Sequence, residues 1–535
     1  MALVCLPVAL VDSVQAPAAD NGPTTLRAAF GSFPDYMDPQ LSYTAEGWTA
    51  MNDVYIPLLT FRHASGRAGT EIVPGLAKSL PKVTDGGRTY TLFLQRGLKY
   101  SDGTPVRASD FEFAIERLFR LNSGGSVFYS VIVGARRSRQ LGHGGISGIV
   151  TDDRTGKIVI HLLRPTSTFP DLLALMFAAP LPPTTPMRDQ SSHPPPATGP
   201  YAITRSRPGI GWSYERNPVW ATNNGPLVPE VPAGHVDRIE VSVIRNPFAE
   251  VRGVLSGEID WMQNPVPGAW FEELRSRYEG TQLRVSKTPS IYYFWLNTTK
   301  PPFDDVRVRR AVNYAVDANA LRRIYAGQLA PTHQILPPGI PGYHRFDLYP
   351  YNLAKARRMI AAAHPGDRRI TVWTDTESPN AEAGEYFAGV LRELGFRVHL
   401  KIPNADNYFV VIGNRSTPNL DAGWSDWFQD YPHPDDFFRP LLLGSSILSL
   451  YNGNLAQIDA PAFNKQINDL NRVPLTPATE RRYAALDRSY MKLAPWVPFG
   501  IRTLTTFVSS RIDLSKIVYS PVFFEYLTSF QFKGQ

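Results

Sequence analysis

The chain has 535 residues, more than one hydrophobic core sustains, and a length suited to about three domains. Hydrophobic residues make up 43% and charged residues 19%, which excludes a disordered chain. Basic residues exceed acidic ones, 55 against 48, but apart from Arg136, Arg137 and Arg139 they are scattered, so no nucleic-acid surface is indicated.

Residues 1–11 (MALVCLPVALV) are too short to span a bilayer but match a signal h-region, with Val14-Gln15-Ala16 as a small-residue cleavage site. Export is the expectation. Cys5 is the single cysteine, which excludes an internal disulfide; it is also a candidate lipid anchor, although Val4 before it is bulky. Residues 18–25 form a linker, residues 26–30 a strand, and residues 33–39 (FPDYMDP) a turn. The apolar run 54–61 is bent at Pro57.

A strand over 89–94 and the turn at Asp102-Gly103 precede a helix over 109–121. Ser109 and Glu112 supply a capping box, and Phe111, Ala114, Ile115, Leu118 and Phe119 form one apolar stripe. Residues 158–163 are a strand in which His161 is a packed side chain. The tract 193–200 (HPPPATGP) has linker composition and marks a domain crossing. A strand over 236–244 and a helix over 248–255 follow.

Six apolar residues at 291–296 (IYYFWL) predict a strand buried on both faces. A single helix is expected from 305 to 325, ended by Gly327, and another over 355–363. Strand 370–374, helix 383–394 and strand 396–402 form a βαβ unit, hence a parallel, right-handed crossover. Near the end come helices over 463–470 and 477–492, the latter capped by Thr476, and strands over 505–508 and 530–532, with residues 494–499 leading into them.

Residues 421–438 (DAGWSDWFQDYPHPDDFF) carry two Trp, three Phe, one Tyr and five Asp, with Pro432 and Pro434 opposing a helix through the second half. Such a segment suits the wall of a cleft, where aromatic faces hold apolar groups and a carboxylate fixes a cation. It follows the βαβ unit, roughly where ligand sites gather in α/β folds. No GxSxG, HExxH, GxxxxGK[ST] or strand-linked GxGxxG motif is present. Asp426 and Asp430 could pair as acid and base, and His433, Asp435 and Asp436 could hold a metal, but a solvated loop cluster accounts for the latter more simply.

Four segments carry a resemblance to the family 5 solute-binding proteins of bacterial ABC importers, the dipeptide and oligopeptide binders. They are residues 98–118 (LKYSDGTPVRASDFEFAIERL), 197–203 (ATGPYAI) with the sequel 215–220, 292–317 (YYFWLNTTKPPFDDVRVRRAVNYAVD) and 423–438. The resemblance implies an α/β, two-lobed fold like that of periplasmic binding proteins (type II, cluster C), with an extra domain. It implies lobe I from 24–50, 198–291 and 500–535, the extra domain from 51–197, and lobe II from 292–499, with hinge closure around the solute.

By the same resemblance, Asp430 matches the aspartate that receives a peptide's α-ammonium, a charge-assisted pairing. Trp424 and Trp427 would line the cleft, Tyr292, Tyr293 and Trp295 its floor, and Phe33, Pro34 and Asp35 the loop that meets peptide backbone. The extra length at 426–429 leaves Asp426 as an alternative ammonium acceptor. The resemblance implies a monomeric, non-catalytic protein without cofactor, located in the periplasm or on the outer membrane face, with a peptide-like solute and ABC permease subunits as partners. A secreted hydrolase using Asp426 and Asp430, a binder of a nickel chelate or sugar, and a receptor domain are the alternatives.

Overall fold

The computed structural model describes residues 23–137, 145–404 and 407–534. The leader expectations, Cys5 among them, and Arg139 lie outside the described residues. No described helix is long and apolar enough to cross a membrane.

One long strand, Trp496–Val508, is the spine of the molecule. Its first residues pair antiparallel with the strand Ser290–Leu296, Trp496 opposite Trp295 and Pro498 opposite Tyr293. Its last residues pair with Trp261–Met262 and with Leu283–Lys287. A single strand thus belongs to two halves of a continuous sheet. From one edge to the other the strands run Arg397–Lys401, Arg369–Trp373, Ala422–Phe428, Ser290–Leu296, Trp496–Val508, Trp261–Met262, Thr25–Phe30, Arg238–Val243, Gly211–Arg216 and Tyr201–Arg207.

Each half has a parallel kernel. Thr25–Phe30 runs parallel to both Arg238–Val243 and Trp261–Met262. Arg369–Trp373 runs parallel to Arg397–Lys401 and Ala422–Phe428, with helix Asn380–Glu393 as the crossover, as the βαβ pattern predicts. Strand Ser290–Leu296 is buried at every position, as six apolar residues in a row require of a strand covered on both faces.

Two large cores match the two halves. One joins Leu26, Phe30, Trp212 and Ile239 to residues of the 51–197 segment and to Val508 and Phe530. The other spans Ile291 to Phe499. The 51–197 segment carries its own four-stranded antiparallel sheet, and helix Ala108–Arg120 buries the stripe Phe111, Ala114, Ile115, Leu118 and Phe119. From that helix Arg117 reaches the N-terminal loop and pairs with both carboxylate oxygens of Asp38, at 2.7 and 2.6 Å, with neither side chain exposed. The Pro-rich tract is packed: Thr198 and Gly199 are buried and donate from their backbone to Val54.

Several local expectations are corrected. The helix expected at 109 begins at Ala108, and Asp110, not Glu112, accepts from the backbone at Arg107, while Ser109 bonds Asp153. The helix expected over 305–325 is two, Val306–Ala315 and Ala318–Ile324, because Val316 is extended and Asp317 caps the second. Residues 494–499 start the spine strand at Trp496 instead of leading to it as a loop. Phe532 makes only an isolated bridge to Ile512, and the chain before it forms a short 3-10 turn, Leu527–Ser529.

Residues 421–438 are more regular than their prolines suggest. Strand Ala422–Phe428 and helix Asp435–Leu442 flank a short turn holding Pro432, His433 and Pro434. Pro434 sits just before the first helical turn, where its fixed φ and missing N–H do no harm.

Candidate functional site

The site is built where segment 421–438 meets the N-terminal loop. Asp35 organises that loop: its carboxylate accepts from the Ser42 hydroxyl at 2.7 Å, the Thr44 hydroxyl at 3.0 Å and the Tyr43 backbone at 2.8 Å. Thr44 then caps helix Ala45–Met51 by accepting from Gly47. Phe33 packs edge-on against Trp212 at 5.4 Å, and Pro34 is buried. These three residues shape the loop that presents Tyr43.

Tyr43 stacks on Trp48 and meets Phe177 edge-on. Its hydroxyl donates to Asp430 Oδ2 at 2.7 Å, joining the first half of the molecule to the second. Asp430 is 6% exposed, and burial pushes its carboxyl up to about 7. Gln429 adds a bond across the same seam to the Pro521 carbonyl, and Phe428 faces Phe524. A further bridge runs from the 51–197 segment: Ser167 donates to the Asn471 carbonyl at 2.7 Å, and Asn471 Nδ2 donates to Thr168 Oγ1 at 3.2 Å.

Trp427 is partly exposed and its indole N–H donates to Asp436 at 3.1 Å. The same oxygen of Asp436 accepts from the Asp430 backbone at 2.9 Å. Arg439, on the same helix as Asp436, is committed to Asp435 at 2.7 and 3.1 Å.

A second acidic group lies farther along the strand. Asp426 is register-paired with Tyr292, whose hydroxyl bonds it, and burial pushes its carboxyl up to about 7. The charges of Asp375 and Glu377 act in the same direction, and Arg502 opposes them. Asp375 is itself pushed up to about 6 by burial, while accepting from Glu377 and Asn380. Glu46, from the first half, is raised by burial, with the charges of Asp35 and Glu377 acting in the same direction. Arg502 stacks over Tyr325 at 5.1 Å.

The other residues singled out from the sequence are buried in the second core. Tyr292 sits among Tyr325, Trp424, Phe428 and Phe499. Trp424 donates to the Tyr325 hydroxyl. Tyr293 stacks on Trp496 at 3.9 Å, and Trp295 donates to the Trp424 carbonyl. Tyr293 and Trp295 alternate with Tyr292 and Phe294, so they lie on the opposite face of their strand.

Tyr43, Glu46, Asp375, Glu377 and Arg502 were not foreseen as site residues, and Asp436 was considered only as a metal ligand. Asp436 stood in plain view as a carboxylate within the aromatic segment; the others are remote in sequence and carried no local signal. His433 accepts from the Asp435 backbone with one ring nitrogen and is pushed down to about 4 by burial. No group of three or more His, Cys, Asp or Glu among the described residues is placed to hold a metal. An open pocket of about 420 Å³ lies elsewhere, bounded by Ser65, Arg284, Lys287 and Tyr519, and shares no residue with the seam.

Two α/β lobes joined by a shared strand and meeting across an acidic, aromatic seam define a solute-binding protein. Residues 71–448 match the model of the bacterial extracellular solute-binding proteins, family 5, and the chain belongs to that family. It is 26% identical over 504 residues to heme-binding protein A of Haemophilus influenzae, covering 89% of this chain and 85% of that one. It is 24% identical to the periplasmic oligopeptide-binding protein OppA of Salmonella typhimurium, covering 77% and 76%. Among solved structures, the clavulanic acid biosynthesis oligopeptide binding protein 2 superposes with a TM-score of 0.86 at 26% identity, covering 95% of both chains. DppA from Helicobacter pylori in complex with the peptide STSA superposes with a TM-score of 0.78 at 22% identity, covering 96% and 99%.

Proposed function

We propose that this chain is the exported, non-catalytic receptor of an ABC importer, capturing a peptide-like solute between its lobes and handing it to membrane permease subunits. Lobe I would comprise 24–50, 198–291 and 500–535, the extra domain 51–197, and lobe II 292–499. The chain would act as a monomer in the periplasm or at the outer membrane face, with Cys5 a candidate lipid anchor. The single observation that carries the reading is Asp430, a carboxylate 6% exposed in the interlobe seam, bonded to Tyr43 of the opposite lobe. Among the described residues no Lys or Arg pairs with it. A carboxylate in that position is stabilised by an incoming ammonium.

Relatives as different as OppA and heme-binding protein A support a solute site that the family has adapted repeatedly. The acidic wall of Asp375, Asp426 and Asp430 favours a solute with a positive end over a neutral sugar. Asp426 and Asp430 belong to separate hydrogen-bond sets, one with Tyr292 and one with Tyr43, which supports binding over shared acid–base catalysis. Calorimetry with short peptides, free and N-acetylated, tests this reading. Free-amine peptides should bind, and Asp430→Ala should weaken them by about tenfold to about 150-fold, the worth of a charge-assisted hydrogen bond of about 1.5–3 kcal/mol. Equal affinity for acetylated peptides, or for the Asp430→Ala protein, would exclude the ammonium role.

A further inference from the structure

Beside Asp430 lies a second carboxylate whose geometry has no ordinary structural explanation. Asp436 is fully buried. Its Oδ2 is well used, accepting from the Asp430 backbone and the Trp427 indole. Its Oδ1 is buried and has no hydrogen-bond partner among the described residues. A helix-capping or loop-fixing role needs only one oxygen, and an amide would serve it as well. A carboxylate oxygen buried without a partner costs several kcal/mol unless something neutralises it.

The charged and titratable neighbours do not neutralise it. Asp430, on the turn before the helix, adds a like charge. Asp435, on the same helix, adds another and already holds Arg439 and Asn471. Tyr43 from lobe I donates to Asp430, and Tyr431 is kept neutral by burial and by the acids around it. His433 is held neutral by burial. Two buried carboxyl groups linked through the Asp430 backbone N–H, with no Lys or Arg paired to either among the described residues, cannot both be ionised at ordinary cost.

We propose that Asp430 and Asp436 form a two-carboxylate receptor that holds one proton between them when empty and exchanges it for a cationic N–H head group of the solute, a primary ammonium or a guanidinium. This rests on the reading of Asp430 as the ammonium acceptor and extends it in two ways. The head group must offer at least two N–H donors, one for each carboxylate, so a quaternary ammonium is rejected. Capture also releases a proton to solvent, so affinity rises with pH through the range in which the shared proton is lost. Burial raises the affinity of both carboxyls for that proton, which places the range above that of ordinary carboxylates.

The probe is a mixture of randomised tripeptides, with its N-acetylated counterpart, added to the full chain in weak buffer containing a pH indicator. Free-amine peptides should raise the Tm more at pH 8 than at pH 6 and, at pH 6, where the peptide amine is fully charged, release about one proton per protein. The Asp436→Asn protein, whose amide oxygen still accepts from Asp430 and Trp427, should bind more weakly, and with the like charge gone its proton release and pH dependence should move to lower pH, set by Asp430 alone, which burial still raises. The same pH dependence of proton release in the two proteins, or stabilisation of the wild type without release, would overturn the receptor. If neither mixture stabilises the wild type, the peptide reading fails instead. Hydrogen-ion titration of the ligand-free proteins then decides the pair. Wild type should bind one proton more than Asp436→Asn, with a midpoint above the ordinary carboxylate range, and superimposed curves would overturn it.

Discussion

Replacing Thr168 by Val removes one hydroxyl from the bridge between the 51–197 segment and lobe II. Thr168 is 2% exposed, and its Oγ1 accepts from Asn471 Nδ2 at 3.2 Å. Valine keeps the shape, and the neighbouring bond from Ser167 to the Asn471 carbonyl is untouched. Asn471 Nδ2 keeps its bond to Asp435, but one of its hydrogens loses its acceptor inside the seam. The loss therefore falls in the upper part of the range for a neutral hydrogen bond, about 1–1.5 kcal/mol. If binding requires the lobes to close on this contact, the closed state alone bears that cost, and Kd rises about fivefold to about twelvefold. Calorimetric titration with a ligand identified in the peptide screen measures it. Thr185→Val is the control, because Thr185 is buried in the same segment and its hydroxyl has no partner among the described residues. It should leave Kd unchanged. A Thr168→Val protein with the Kd of the control would mean that the bridge does not open and close with the solute.

Other outcomes follow from the same geometry. Arg117→Met strands the fully buried Asp38 carboxylate and should cost about 3–5 kcal/mol of stability, read by urea denaturation, with a fall in Tm. Gly423→Ala puts a methyl 2.7 Å from the Trp295 ring and from the Trp373 carbonyl, and should destabilise by about 1–3 kcal/mol as the ring is displaced. His433 is held neutral, its acidity shifted down to about 4 in the folded state, so the unfolded chain binds the extra proton first as pH falls. Its contribution is present above about 6.5 and is lost between about 6.5 and about 4. His433→Asn, which keeps an acceptor for the Asp435 backbone, should flatten the stability curve across that window; an unchanged slope would show that His433 is not its source.

Much of the architecture was legible because it is local. The 3.6-residue stripe of Ala108–Arg120, the unbroken apolar run of Ser290–Leu296 and the βαβ spacing of 369–401 each declare themselves within a few residues. The failures are equally local in cause. Two short helices with a cap between them, at Asp317, carry the same periodicity as one long helix, and only backbone geometry separates them. The spine strand was hidden because Pro495 and Pro498 look like loop residues. Pro498 is tolerated because at its position the strand pairs only with Ser290–Leu296, the neighbour on the other side joining from Gly500 on, and because the register shifts nearby, between Tyr292 and Tyr293.

By itself the sequence determined the two-lobed class, the family signature segments and the concentration of aromatic and acidic side chains at 421–438. Tertiary structure alone decided what those acids meet. Tyr43 lies 387 positions from Asp430, and Thr168 lies 303 from Asn471. Nothing in the local chemistry of either segment specifies such a partner, because burial and the absence of a compensating cation are properties of the space between lobes, created only when distant stretches of chain pack together.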